Sequence, residues 1–155
     1  MSEPKSSPTA VFYLRTNRSA AGGKARSVAA QRAACLRRAI ELGAIVQGEY
    51  IDIMSGNSEP ADRPSLSVLL SDLKENPATY VITYDPSRIA RRMHHYASIA
   101  WTVGKAGSRL EIATLPHREV DNVGAYLIGR IGSIQLMDIA PREQPEESFT
   151  EDKKE

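Results

Sequence analysis

A single cysteine among 155 residues excludes an internal disulfide and any cysteine-based zinc site. That residue, Cys35, sits among alanines and a leucine, and is expected to be a small buried hydrophobe in a cytoplasmic protein. An excess of either charge is also missing, since 20 Lys and Arg stand against 19 Asp and Glu for a formal net charge of +1. A balance this even gives no global attraction for a polyanion, so a nucleic-acid role requires a local basic patch. Long apolar runs are absent as well. The best candidate, Val123 to Met137, is interrupted by Arg130, Ser133 and Gln135 and is too short to span a bilayer. Met1 to Thr9 carries Pro, Ser and Lys but no apolar h-region, so this start is expected to be flexible, with no secretory signal and no membrane partner. No internal repeat is visible.

Two familiar patterns also fail. Gly22-Gly23-Lys24 would need Gly at the position of Arg18 and Ser or Thr at Ala25 to form a phosphate loop. His94 and His95 are adjacent on an expected helix and face different directions, so they read as surface or packing residues and no metal is expected. Trp101, on the same helix, is expected in the core or at an interface rather than as a base-stacking platform.

What is present is a regular alternation of elements in a length suited to one domain. Ala10 to Arg15 reads as a first strand and Thr16 to Arg26 as a loop. Ser27 is a suitable N-cap for a helix from Val28 to Leu42, with Gly43 as its stop. Ala44 to Asp52 is expected to be a second strand, followed by a loop to Arg63. Pro64 suits a first helical turn, and Leu66, Leu69, Leu70 and Leu73 fall on one helix face. Tyr80 to Tyr84 is continuously apolar enough for a strand buried on both faces. A helix from Arg91 to Ala106, a strand from Leu110 to Leu115 and a longer helix from Asn122 to Asp138 complete the pattern. From Pro141 the chain is polar and acidic, and residues 139–155 are expected to form a disordered tail. The alternation predicts an α/β fold with a mainly parallel sheet of four to five strands.

Ligands in such sheets bind beyond the carboxyl ends of the strands. The polar residues near those ends are Arg15, Asn17, Gln31, Asp52, Arg63, Arg88 and Arg91. Converging arginines repel one another unless an anion lies among them, and their planar forks suit phosphate oxygens. The alternative is that each pairs with a carboxylate such as Asp52, Asp62 or Asp85.

The same residues carry a resemblance. Tyr13-Leu14-Arg15, Ser27-Val28-Ala29-Ala30-Gln31-Arg32, Glu49-Tyr50-Ile51-Asp52 with Ser55-Gly56, Asp62-Arg63-Pro64-Ser65-Leu66, and Tyr84 through Arg88-Ile89-Ala90-Arg91 occur in the order seen in serine site-specific recombinases. Residues 10–138 resemble the catalytic domain of that family of resolvases, invertases and serine integrases, and 121–135 resemble the start of its long dimerisation helix. The resemblance implies a three-layer, flavodoxin-like domain. It also implies phosphodiester cleavage by a serine without metal or cofactor, the arginines stabilising charge at phosphorus. Arg15, Arg63, Arg88 and Arg91 fall on the arginine positions, Gln31 on a glutamine position and Asp52 on an acidic one.

Two positions depart from the pattern. Asn17 stands where the nucleophilic serine belongs, and an amide nitrogen, its lone pair delocalised, cannot form the covalent intermediate. Ser87 stands where an aspartate precedes the arginine pair. Thr16 and Ser19 are the alternative nucleophiles. Alternation directs Thr16 away from Arg15, and Ser19 lies roughly 6–7 Å further along an extended chain, where catalysis tolerates about 1 Å. The acidic run from Glu143 to Glu155 offers no DNA grip. These features predict an inactive family member that binds DNA phosphate, or pairs with itself or an active recombinase through residues 122–138. The alternatives are an active recombinase using Ser19 or Thr16, and an anion-binding regulatory domain unrelated to DNA.

Overall fold

Side-chain alternation along β1 (Thr9–Thr16) assigns each half of the fold its own core. Ala10, Phe12 and Leu14 pack with Cys35 and Ala39, whereas Val11 and Tyr13 pack with Leu66, Leu69, Leu73, Ile99 and Val103. A computed structural model of the chain describes residues 5–17, 27–54 and 57–117. Its elements are β1, α1 (Val28–Glu41), β2 (Ile45–Ile53), a 3₁₀ turn at Pro60–Asp62, α2 (Pro64–Glu75), β3 (Tyr80–Thr83), α3 (Pro86–Ile89), α4 (Met93–Lys105) and β4 (Arg109–Ile112). The four strands are parallel in the order β2-β1-β3-β4. Helix α1 covers one face, while α2 and α4 cover the other. The step from β1 to β2 runs opposite to the later steps and its helix lies on the opposite face, as one crossover handedness requires. The order reverses between β1 and β3, the place where an open parallel sheet leaves a crevice.

The expected stops and starts have identifiable causes. Ser27 Oγ accepts the Ala30 N–H at 3.2 Å and caps α1. Gly43 and Gly107 take φ values of +63° and +86°, and each closes its helix with the paired bonds of a Schellman motif, Ala44 N to Ala39 O and Ser108 N to Val103 O. Helix α2 has no cap from its own N-cap residue, Arg63. Asp52 supplies one from the end of β2, accepting the N–H groups of Ser65 at 2.9 Å and Leu66 at 3.0 Å. The Tyr13 hydroxyl donates to the same carboxylate at 2.9 Å. Burial, and then the Asp52 charge, raise the pKa of that phenol well above its ordinary value.

Three differences from the sequence expectation stand out. The short helix α3 falls between the expected third strand and the next expected helix, where four residues carry no periodicity. Trp101 is neither core nor covered, being 70 % exposed. The expected helix start at Arg91 is displaced to Met93, leaving Arg91 and Arg92 in the bend before it. Ser19, the dimerisation helix at 122–138 and the acidic tail at 139–155 lie outside the described residues. Among the described residues, no helix is long and apolar enough to cross a membrane.

Two outcomes are expected. Replacing Asp52 with Ala leaves two helix N–H groups and a buried phenol unpaired, so urea unfolding is expected to show a loss of about 3 kcal/mol. Cys35 is buried, and burial pushes its thiol up to about 12. Native protein at pH 8 is therefore expected to leave a disulfide reagent unreacted, with one thiol titrating only after denaturation.

Candidate functional site

The carboxyl ends of β1 and β3 meet at the point of strand-order reversal, and three arginines fill the space. Arg15, Arg63 and Arg88 are all buried, at 1 %, 0 % and 4 % exposure. Arg15 belongs to the face of Val11 and Tyr13 by strand parity, which directs its side chain toward α3. There its Nε donates to the Arg88 carbonyl at 3.1 Å and its Nη2 to the Ser87 carbonyl at 2.8 Å. Its Nη1 donates to the Met54 carbonyl at 2.6 Å, beyond the end of β2. Arg63 Nη1 donates to the Ile89 carbonyl, and its Nη2 to the Ser58 carbonyl at 3.2 Å.

These partners explain why a single helical turn can sit buried at this rim. The last carbonyls of any helix have no acceptor role within it. In α3, the Pro86 carbonyl receives the Ala90 N–H at 3.2 Å, and those of Ser87, Arg88 and Ile89 receive Arg15 and Arg63. All four α3 carbonyls are thereby satisfied, three of them by guanidinium groups. Of the two readings left open by the sequence, carboxylate pairing is seen at Arg88, whose Nε lies 3.6 Å from Asp85 Oδ1. Arg88 Nη1 closes the network by donating to the Arg15 carbonyl at 2.9 Å.

Gln31 reaches this rim from α1. Its Oε1 accepts the Arg15 N–H at 3.2 Å and its Nε2 donates to the Arg15 carbonyl at 2.9 Å, replacing a strand partner at the end of β1. The chain is held there just before Asn17, which is exposed and one residue past the strand. Thr16, of opposite parity, is half-buried and its carbonyl accepts the Met54 N–H at 2.8 Å. Asp52, at an acidic position of the resemblance, is occupied with α2 and Tyr13. Arg91 is exposed, outside the buried three.

Ser87 and Asp85 show what happens at the second departure. Pro86 begins α3, and that turn brings Asp85 beside both the Ser87 hydroxyl, which donates to its Oδ1, and Arg88. A carboxylate is thus present near the arginine pair, carried two residues earlier than the sequence pattern places it. Pro86 is what forms the turn between them. The carbonyls of Met54, Ser58 and Ile89 were missed outright, since backbone acceptors leave no sequence signal.

Electrostatically, three buried guanidinium groups face two carboxylates, Asp52 and Asp85. Burial, and then the charges of Arg88 and Arg63, push the pKa of Arg15 down to about 10, so it stays cationic at neutral pH in a positive surrounding. The buried Arg88 Nε has no hydrogen bond, only the ion pair at 3.6 Å. Each guanidinium has five N–H donors, and the carbonyl contacts of Arg15 use three. The positive charge gathered at the rim, with the exposed Arg91 beside it, suits an anion there. Among the described residues no group of His, Cys, Asp and Glu could hold a metal.

With this geometry in view, comparison places the chain. The sequence profile of the resolvase N-terminal domain matches residues 10–140. The chain belongs to that family. The catalytic domain of TP901-1 integrase is similar in structure, with a TM-score of 0.65 at 17 % identity over 84 % of this chain and 95 % of that one. A resolvase family site-specific recombinase from Streptococcus pneumoniae gives 0.62 at 18 % identity, covering 85 % and 90 %. The C-terminal catalytic domain of ISC1926 TnpA, an IS607-like serine recombinase, gives 0.57 at 20 % identity, covering 81 % and 80 %. These likenesses establish a resolvase-like α/β fold. No curated protein sequence matches the chain.

The network predicts that Arg15→Lys is not conservative. An ammonium cannot span three carbonyls arranged around a planar fork. Urea unfolding is expected to show a loss of about 3 kcal/mol or more, with an unchanged slope; a loss below about 0.5 kcal/mol, the range of neutral surface changes, contradicts the capping role.

Proposed function

We propose that this domain is a recombinase-family pseudoenzyme that binds DNA phosphate at the β1/β3 rim without cleaving it. The observation that supports it best is the pairing of a positive, partly unsatisfied arginine site with Asn17 at the nucleophile position. Arg88 and the exposed Arg91 would contact the nonbridging oxygens, while Arg15 and Arg63 hold α3 in place behind them. Phosphate would be held by charge-assisted hydrogen bonds. No attack would follow, because Asn17 has no ionisable hydroxyl and its amide nitrogen is not nucleophilic. The similar proteins named above are called integrases and recombinases, which supports DNA as the anion. A second copy of this chain, or an active family member, is proposed as the partner of residues 122–138.

Incubation with supercoiled plasmid carrying candidate sites, quenched in denaturant, tests the chemistry. No protein–DNA adduct is expected. An adduct abolished by Ser19→Ala or Thr16→Val overturns the reading and makes the protein an active recombinase. Gel shifts in a salt series test the binding. Affinity for duplex is expected to fall steeply with salt, and Arg91→Ala to flatten the log–log slope by about 0.9, one phosphate contact. Binding of phosphate without any DNA affinity would point instead to an anion-responsive regulatory domain.

A further inference from the structure

The two faces of the sheet are covered unequally. Among the described residues α1 alone packs on one face, whereas α2 and α4 share the other. The inner side of α1, with Gln31, Ala34, Cys35, Arg38 and Ala39, is buried against the strands. Its solvent side is apolar too. Ala29, Ala33, Leu36 and Ile40 are all exposed and take the i, i+4, i+7, i+11 positions of a single stripe. Leu36 is 46 % and Ile40 70 % exposed. A groove of about 370 Å³ between α1 and β2, lined in part by Phe12, Leu36 and Val46, continues the stripe sideways. The outer side of α2, by contrast, carries Ser67, Ser71, Asp72, Lys74 and Glu75. A contiguous apolar surface of the α1 kind marks an interaction site.

Two observations identify the occupant as part of the same chain. The first is where the described chain stops. After β4 the backbone is pinned against α1, since Arg38 pairs with the buried Glu111 and donates to the carbonyls of Ile112 and Leu115. His117, the last described residue, has its Nδ1 3.0 Å from the same carboxylate. From His117 to Asn122 the backbone spans at most about 17 Å, enough to pass round one side of a helix about 10–12 Å across. The second is spacing. In residues 122–138 the apolar stripe is Val123, Leu127, Ile131 and Ile134, at i, i+4, i+8, i+11. Each stripe covers about 16 Å of helix. Ridges of equal length, built from steps of three and four, are what packed helices interdigitate.

We propose that residues 122–138 dock on the outer side of their own chain's α1, packing Val123, Leu127, Ile131 and Ile134 against Ala29, Ala33, Leu36 and Ile40. A tether this short holds the segment at a roughly millimolar effective concentration, which favours it over a separate copy. Ile128 and Leu136 lie outside the docked stripe and stay available to the second copy or family member proposed above. The contact involves no DNA and stands apart from phosphate binding at the rim.

Cysteine pairing in the full chain tests the contact, because the native Cys35 is buried; the wild type is the control. Leu36→Cys or Ile40→Cys is combined in turn with Val123→Cys, Leu127→Cys, Ile131→Cys or Ile134→Cys, and with Leu136→Cys as an off-stripe partner. Each variant is oxidised gently at micromolar concentration. Disulfides within one chain, seen as monomers of altered mobility on a non-reducing gel, are expected from at least one stripe pairing and not from Leu136→Cys. The second measurement is the rate at which a thiol reagent modifies Ile40→Cys alone. Adding Leu127→Asp is expected to speed it about tenfold, as for a contact closed in about nine molecules of ten, and neither rate should depend on protein concentration. Disulfides found only between chains, or protection that grows with concentration, assign the surface to a second copy and overturn the proposal. Absence of every stripe disulfide, equal pairing with Leu136→Cys, or a modification rate unchanged by Leu127→Asp overturns it as well. All of these outcomes leave the rim reading as it stands.

Discussion

Two buried guanidinium groups, those of Arg15 and Arg63, hold the carbonyl end of one helical turn, and the geometry of the whole rim follows from that contact. Helix α3 is only four residues long, too short to be stable by its own hydrogen bonds. It persists because Arg15 comes from the central strand and Arg63 from the start of α2, and both donate to its carbonyls. The reverse dependence also holds. Buried arginines need acceptors, and α3 provides carbonyl dipoles in place of carboxylates. Strand β1, the loop after β2, helix α2 and the β3 terminus are thus tied at one point.

This contact changes the meaning of the arginines. Taken from the sequence alone, four arginines near one rim look like an anion site. Arg15 and Arg63 have a structural role that is independent of any reaction. Their presence is explained by α3 alone, so anion binding rests on Arg88, whose Nε has only a long ion pair, and on Arg91 at the surface. Asp52 shows the same economy of role. It lies at an acidic position of the family pattern, and here it caps α2 and fixes Tyr13.

Much of the fold was legible in the sequence because its signals were local. Ser27, Gly43 and Pro64 mark helix ends through backbone rules that do not depend on tertiary context. Resemblance pointed to Arg15, Arg63 and Arg88, which are buried together at the rim. What remained hidden depended on contacts between distant segments. The acceptors of Arg15 are backbone atoms from the segments after β2 and β3, which no side-chain pattern encodes. Asp85 is one of the carboxylates the sequence offers to the arginines, and the turn at Pro86 is what brings it beside Arg88. Trp101, expected in the core or at an interface, lies outside the core, because residue type alone does not fix a helix face.

The central claim is that the rim retains a phosphate site while its covalent chemistry is absent. Its most direct measurement is the unfolding midpoint in increasing inorganic phosphate at constant ionic strength, for the wild type and for Arg91→Ala. General salting effects act equally on both proteins, whereas specific binding stabilises only the protein that has the site. The account predicts a saturable rise in the wild type that is larger than in Arg91→Ala. Identical curves for the two proteins would contradict it.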